Sequence, residues 1–186
     1  MGKEVDAFLM RKWEYAFRVF FDVNRNGTLE WDDFQLLIEI IGEARGPMSD
    51  EYLSAKLALN EIWHKLTAAI GLKHDDKVTE EDWMAMWKKS LNGSTPDWQK
   101  LYLEYMFQLL DASGDKLVDQ SEYIQVMGYF DISRSEATAC FDKFALNEQG
   151  ELVMAITYEK FVTLWEEYFT STDMNSTGNY LLGFID

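Results

Sequence analysis

The chain has 186 residues, with 33 acidic side chains against 17 Lys and Arg and a formal net charge of −16. A surface of that sign repels nucleic acid and anionic membranes, so neither is expected as a partner. With 47% hydrophobic and 15% aromatic residues, it is equally unlike a disordered acidic tail. Cys140 is the only cysteine, which excludes a disulfide framework and fits a reducing compartment. The opening MGKEVDAFLM lacks the apolar run of a signal peptide, and no segment reaches membrane-spanning length. A cytoplasmic setting is therefore expected.

Apolar residues recur at helical spacing along almost the whole chain. A first helix is predicted over Val5 to Phe21, with Phe8, Phe17, Phe20 and Phe21 inward. A second starts near Trp31, carries Phe34, Leu37, Ile38 and Ile41 on one face, and stops before Gly46-Pro47. A third follows Ser49 or Asp50 as N-cap and ends at Gly71, with Leu53, Leu57, Trp63, Leu66 and Ile70 as its apolar stripe. A fourth follows Thr79 and bears Trp83, Met84, Trp87 and Leu91. The stretch Asn92-Gly93-Ser94-Thr95-Pro96 reads as a linker. Beyond it the layout repeats, with a helix carrying Trp98, Leu101, Tyr105, Met106 and Leu109 and one carrying Tyr123, Ile124 and Met127. A seventh is opened by Ser133 and Glu136 as a capping box, and an eighth runs from Tyr158 to Phe169. Eight helices in four pairs make a repeat of one unit, so the connections are where the units differ.

Asp22 to Asp33 reads DVNRNGTLEWDD. Counting from Asp22, side-chain oxygens fall at positions 1, 3 and 5 (Asp22, Asn24, Asn26), glycine at 6 (Gly27), an apolar residue at 8 (Leu29) and a carboxylate at 12 (Asp33). This is the spacing of an EF-hand calcium loop. A hard divalent cation takes six to eight oxygens, alternate residues of a tight turn can aim inward, and glycine provides the bend at position 6. Thr28 would add its carbonyl at position 7, and Glu30 at position 9 would act directly or through a water. Position 12 is ordinarily Glu; the shorter Asp33 favours monodentate contact and competition by Mg²⁺. Asp32 reads as charge at a helix N-terminus.

Asp111 to Glu122 reads DASGDKLVDQSE. Asp111, Ser113 and Asp115 occupy positions 1, 3 and 5, Leu117 offers a carbonyl at 7, Val118 is the apolar eighth residue, and Glu122 closes the loop. Asp119 at position 9 would act through a water. Lys116 stands where glycine is expected, and a non-glycine residue in the left-handed region costs about 1–2 kcal/mol.

The other two connections lack ligands. With Val78 as eighth residue, Gly71 falls at position 1, Lys73 at 3, Asp75 at 5, Asp76 at 6 and Asp82 at 12, and these aspartates read as a solvated face. With Ile156 as eighth residue, the fourth loop has Gln149 at position 1 and Lys160 at 12. Each still supplies a short strand, so Val78 should pair with Leu29 and Ile156 with Val118.

Four such units, with FDVNRNGTLEWDDF, EEDWMAMW, LLDASGDKLVDQSEY and the ending LWEEYFTSTDMNSTGNYLLGFID, resemble the invertebrate sarcoplasmic calcium-binding proteins, and within that family the calexcitin type. The resemblance covers essentially the whole chain. It implies calcium ligands at Asp22, Asn24, Asn26, Thr28 and Asp33, and at Asp111, Ser113, Asp115, Leu117 and Glu122. It also implies Ca²⁺ and Mg²⁺ buffering as the usual role and, for calexcitin, signalling at membranes and channels. The expected fold is all-α: four EF-hand helix-loop-helix units in two lobes packed into one compact molecule, with short β segments pairing the loops. The expected domains are an N-terminal pair over 1–91, a C-terminal pair over 97–170 and a tail over 171–186. Tyr180, Leu181, Leu182, Phe184 and Ile185 make that tail apolar, and it is expected to pack between the lobes.

The protein is thus expected to be a monomeric Ca²⁺ binder holding about two ions, with Mg²⁺ competing chiefly at the first loop. The alternative is a sensor that exposes a surface and regulates a channel or other protein target. Seven Trp residues suit a fixed core better than a groove that re-forms for many partners. No nucleophile–base pair or phosphate loop appears, so no enzymatic activity is expected.

Overall fold

Local capping chemistry sets most helix ends in the computed structural model, which describes residues 4–93 and 95–185. Ser94 of the connection, Asp186 of the tail and the first three residues lie outside them. Helix α1 spans Ala7–Ala16 and is opened by Asp6, whose Oδ1 accepts from the N–H groups of Phe8 (2.9 Å) and Leu9 (3.2 Å). It does not continue as α-helix to Phe21: residues Phe17–Phe21 form a π-helical turn closed by Asp22 N–H donating to Phe17 O at 2.8 Å. Helix α2 is Trp31–Arg45 and α3 is Asp50–Ile70, the latter capped by Ser49 and ended by Gly71 in the left-handed region. Helix α4, Glu80–Ser90, follows the Thr79 cap. The second half holds α5 (Asp97–Leu110), α6 (Gln120–Gly128), α7 (Arg134–Phe144) and α8 (Tyr158–Thr170), then a 3₁₀ turn at Thr177–Tyr180.

Four short strands, β1 (Thr28–Leu29), β2 (Val78–Thr79), β3 (Leu117–Asp119) and β4 (Ala155–Thr157), join the connections in pairs. Both pairings are antiparallel and in the expected register, with Leu29 opposite Val78 and Val118 opposite Ile156. All four of these residues are buried, which pins the register, since a one-residue slip would turn each apolar side chain outward.

By packing, the described residues fall into two units. One is Trp13–Tyr105; the other joins the residues up to Lys12 with those from Met106 onward. The division therefore falls inside α1 and α5, whereas the composition shift along the sequence lies at 92–96.

The first unit is built on aromatic rings. Trp83 is fully buried, lies 4.7–5.9 Å from the rings of Phe17, Phe21, Trp87 and Trp98, and donates its indole N–H to Trp13 O at 2.9 Å. The stripe expected on α3 holds at Trp63 and Leu66 but not earlier in the helix: Ala55, Leu59 and Ile62 are buried there, while Leu57 is 74% exposed and Leu53 43%. Both sets are apolar and spaced for a helix, so periodicity alone does not choose between them.

The second unit is closed by the tail. Leu181 and Leu182 are buried, and Tyr123 Oη donates to Leu181 O at 2.8 Å. Ser133 caps α7 as expected, but the Glu136 carboxylate accepts from Phe184 N–H of the tail. Lys12, fully buried, donates to the Ser171 and Glu167 carbonyls that end α8 (2.7 and 3.2 Å) and to Asn179 Oδ1 (2.9 Å). Gly178 presses against α8: its N–H donates to Glu167 Oε2, and a β-carbon there would lie 2.6 Å from Leu164 O.

Candidate metal centres

The first and third loops share one hydrogen-bond scaffold. At position 12, Asp33 accepts at Oδ1 from Asn24 N–H (3.0 Å) and at Oδ2 from Glu30 N–H (2.8 Å). Glu122 does the same with Ser113 N–H and Asp119 N–H, both at 3.0 Å. In each loop one carboxylate thus ties position 3 to position 9. Position 6 donates to position 1 in both, Gly27 to Asp22 at 2.8 Å and Lys116 to Asp111 at 3.0 Å. Position 7 donates to the position 5 side chain, Thr28 to Asn26 and Leu117 to Asp115. Thr28 and Leu117 also begin β1 and β3, so strand pairing holds the backbone whose carbonyls are expected to ligate.

Such a network gathers the oxygens without spending all of their lone pairs. The clearest sign is in the third loop, where Asp111 Oδ1 is buried and has no hydrogen-bond partner. A buried acceptor-only oxygen in that state is costly unless a cation or donor meets it. Among the described residues no three His, Cys, Asp or Glu side chains are grouped so as to hold a metal unaided. A complete shell would therefore need the amides of Asn24 and Asn26, the Ser113 hydroxyl and the strand carbonyls. Asp33 is fully buried; burial raises its pKa, opposed by the N–H groups of Asn24 and Glu30 and reinforced by the charges of Asp22 and Glu30. The field of these acids favours a positive charge at this place.

The second loop keeps half of this scaffold. Asp82 at position 12 accepts from Thr79 N–H at position 9, in the same capping box that Asp33 and Glu122 make, but Lys73 N–H at position 3 is diverted to Asp76. Asp76 and Asp82 are thus backbone acceptors rather than a merely solvated face; Asp75, fully exposed, pairs with His74. The fourth connection is a narrow hairpin, with Leu146 bridging Leu152 and Asn147 Oδ1 accepting from Gln149 and Glu151 N–H groups.

Three further loop residues, Arg25, Lys77 and Gly114, escape a reading by ligand spacing. Arg25 at position 4 has φ 59° and Gly114 at the same position of the third loop 73°, while position 6 has Gly27 at 87° and Lys116 at 64°. Lys77 in the second loop pairs with Glu30 at 2.7 Å. That hydrogen bond, followed by one from Thr28, holds the Glu30 carboxyl below its usual range and Lys77 above its own. The strand register is the sequence signal that would have found this pair.

No family model matches the chain. Over 183 residues it is 33% identical to calexcitin-1 of Caenorhabditis elegans, covering 98% of this chain and 90% of that relative. The chain belongs to the calexcitin and sarcoplasmic calcium-binding protein family. To the sarcoplasmic calcium-binding proteins I, III and IV of Branchiostoma lanceolatum it is 26% identical, over 96% of this chain and 98% of theirs. The solved sarcoplasmic calcium-binding protein of amphioxus matches with a TM-score of 0.79 at 24% identity, over 97% and 99% of the two chains. The fold is accordingly an EF-hand fold. Among the described residues of this family member, no helix is long and apolar enough to cross a membrane.

Proposed function

We propose that the protein binds two divalent cations, one in each of the loops Asp22–Asp33 and Asp111–Glu122, and acts as a monomeric, cytoplasmic, non-enzymatic Ca²⁺/Mg²⁺ buffer or calcium signal protein. The observation that carries this reading is the position 12 carboxylate tying positions 3 and 9 together in those two loops, whereas in the second loop Asp82 accepts from Thr79 N–H at position 9 and Lys73 N–H at position 3 goes to Asp76 instead. The calcium-binding proteins among its relatives support the choice of ion. Asp22, Asn24, Asn26, the Thr28 carbonyl and Asp33 would hold the first ion, with Glu30 direct or through a water. Asp111, Ser113, Asp115, the Leu117 carbonyl and Glu122 would hold the second, with Asp119 through a water. A bound ion would neutralise carboxylates that otherwise repel one another and would give Asp111 Oδ1 its missing partner. Calorimetric titration with Ca²⁺, with and without millimolar Mg²⁺, tests this: two sites are expected, Mg²⁺ weakening the first more than the third loop's, and four sites or none overturns it.

One observation favours the sensor reading. Met48, Leu53 and Leu57 lie exposed in and after the turn between α2 and α3, the sort of apolar surface a protein target covers. Calcium-dependent uptake of a hydrophobic dye would support regulation of a target, and dye binding indifferent to calcium would leave the buffer.

A further inference from the structure

The antiparallel register of β1 and β2 sets Thr28 opposite Thr79 and Leu29 opposite Val78. The next step of that ladder brings Glu30, at position 9 of the first loop, across from Lys77. Lys77 Nζ lies 2.7 Å from Glu30 Oε1, the same oxygen that accepts from Thr28 Oγ1 at 3.0 Å and Asn26 Nδ2 at 3.3 Å. The ammonium group thus shares its acceptor, Glu30 Oε1, with two other side chains of the first loop. It is delivered by a segment that is itself held: Trp63 donates its indole N–H to His74 O at 3.1 Å, and the His74 ring lies 5.2 Å from that of Trp31. The third loop provides an internal contrast, because its position 9 residue, Asp119, stands opposite Ala155.

We propose that Lys77, in the ligand-poor second loop, is a built-in counter-cation of the first divalent site, neutralising Glu30 and lowering that site's affinity relative to the third. This rests on the two-site reading above. A divalent ion entering the first loop must displace Lys77 from Glu30 or bind beside its charge, and either costs affinity. The second loop then acts as an intramolecular competitor although it lacks ligands of its own. Since Lys77 is 65% exposed, the effect is open to screening by salt.

Calorimetric titration of the full chain at low ionic strength, with Ca²⁺ and separately with Mg²⁺, tests this in Lys77→Gln. First-site affinity is expected to rise about three- to tenfold, the range for removing one partly screened unit charge, with the third site unchanged. The gain should shrink at about 0.5 M salt, where the screening length is a few ångströms, and should be smaller in a Glu30→Gln background. Lys65→Gln, which changes net charge equally but removes a lysine paired with Glu61 on α3, should leave both sites as they are. Unchanged or weaker first-site binding in Lys77→Gln, an equal gain from Lys65→Gln, or an undiminished gain in the Glu30→Gln background would overturn the inference. If instead the unaltered protein binds nothing at the first loop, the two-site reading itself fails; two sites in that protein with no response to Lys77→Gln would sink the counter-cation alone.

Discussion

The first and third loops reach one hydrogen-bond scaffold by different routes. The first is entered through a π-helical turn, with Asp22 N–H reaching back to Phe17 O; the third is entered through an ordinary α-turn, with Asp111 N–H bonded to Phe107 O. The first closes on Asp33 and the third on Glu122, yet each carboxylate spans the same two N–H groups. Position 9 faces a lysine in one and an alanine in the other. The comparison teaches that the loop backbone is the shared feature and that the electrostatic surroundings differ. The units around them differ too: one is filled by indoles packed in stacked, tilted and edge-on pairs, the other is closed by a tail clasped on a buried lysine.

The largest test of that contrast is on the aromatic side. Trp83→Ala removes a fully buried ring and a hydrogen bond to Trp13 O, and thermal unfolding should show a loss of about 3–5 kcal/mol. A loss under 1 kcal/mol would mean that the indole cluster is not what holds the first unit together. Next come the position 12 carboxylates. Asp33→Asn and Glu122→Gln should each weaken one site about 100-fold, since affinity follows ligand charge and denticity, and calorimetry should find the other site intact. Loss of both sites from either change would show that the loops are coupled rather than independent.

The clasp of the second unit carries a pH signature. Burial, against the charges of Glu167 and Asp6, lowers the Lys12 pKa from 10.5 to about 8. Between those values the unfolded chain holds a proton that the folded one does not, so stability rises with pH there. Below pH 8 the cost of the buried charge is fully present. From pH 8 to about 9.5 the gain should be roughly 2 kcal/mol, visible as a melting temperature that climbs by about 4–8 °C. Lys12→Met should flatten that climb, while lowering stability at neutral pH because the Glu167 and Ser171 carbonyls and Asn179 lose their donor. A climb that persists in Lys12→Met would assign it to other groups.

What could be read along the chain was what local chemistry decides. Ser49, Thr79, Gly71 and Gly46-Pro47 mark helix ends because caps and stops act within one turn. The register of the strands followed from the eighth loop residue because Leu29, Val78, Val118 and Ile156 must all be buried. The face of the first half of α3 did not follow, because Leu53 and Leu57 fit a helical stripe with Trp63 and Leu66 as well as Leu59 and Ile62 do, and tertiary packing made the choice. Lys12 reads as a surface residue until the end of α8 and the tail are brought to it. Lys77 reads as one more charge in a loop without ligands, because its partner is set by pairing and not by spacing within its own loop. The oxygen-bearing positions of the two loops form a pattern visible in the sequence, but the positive φ at position 4, Arg25 and Gly114, does not, because only position 6 carries a residue preference in the calcium-loop spacing.

That hidden symmetry gives the smallest effect. Both loops have positive φ at positions 4 and 6, and each places a glycine at only one of them: Arg25 with Gly27, Gly114 with Lys116. A β-carbon at Gly27 or Gly114 would meet no atom within 4 Å, so Gly27→Ala and Gly114→Ala probe backbone conformation without a clash. Each should lose about 1 kcal/mol, the left-handed penalty for an L side chain. The reverse change, Lys116→Gly, removes that penalty of about 1–2 kcal/mol, but glycine gives back roughly 0.5–1 kcal/mol of it by loosening the unfolded chain. Lys116→Ala is the proper reference, because it removes the same charge while keeping the strain. Lys116→Gly should therefore unfold higher than Lys116→Ala by about 2–4 °C for each kcal/mol retained, with the donation to Asp111 Oδ2 from the position 6 N–H unaffected. If the two variants melt together, position 6 of the third loop is unstrained despite its φ of 64°, and the two loops differ in backbone energetics as well as in electrostatics.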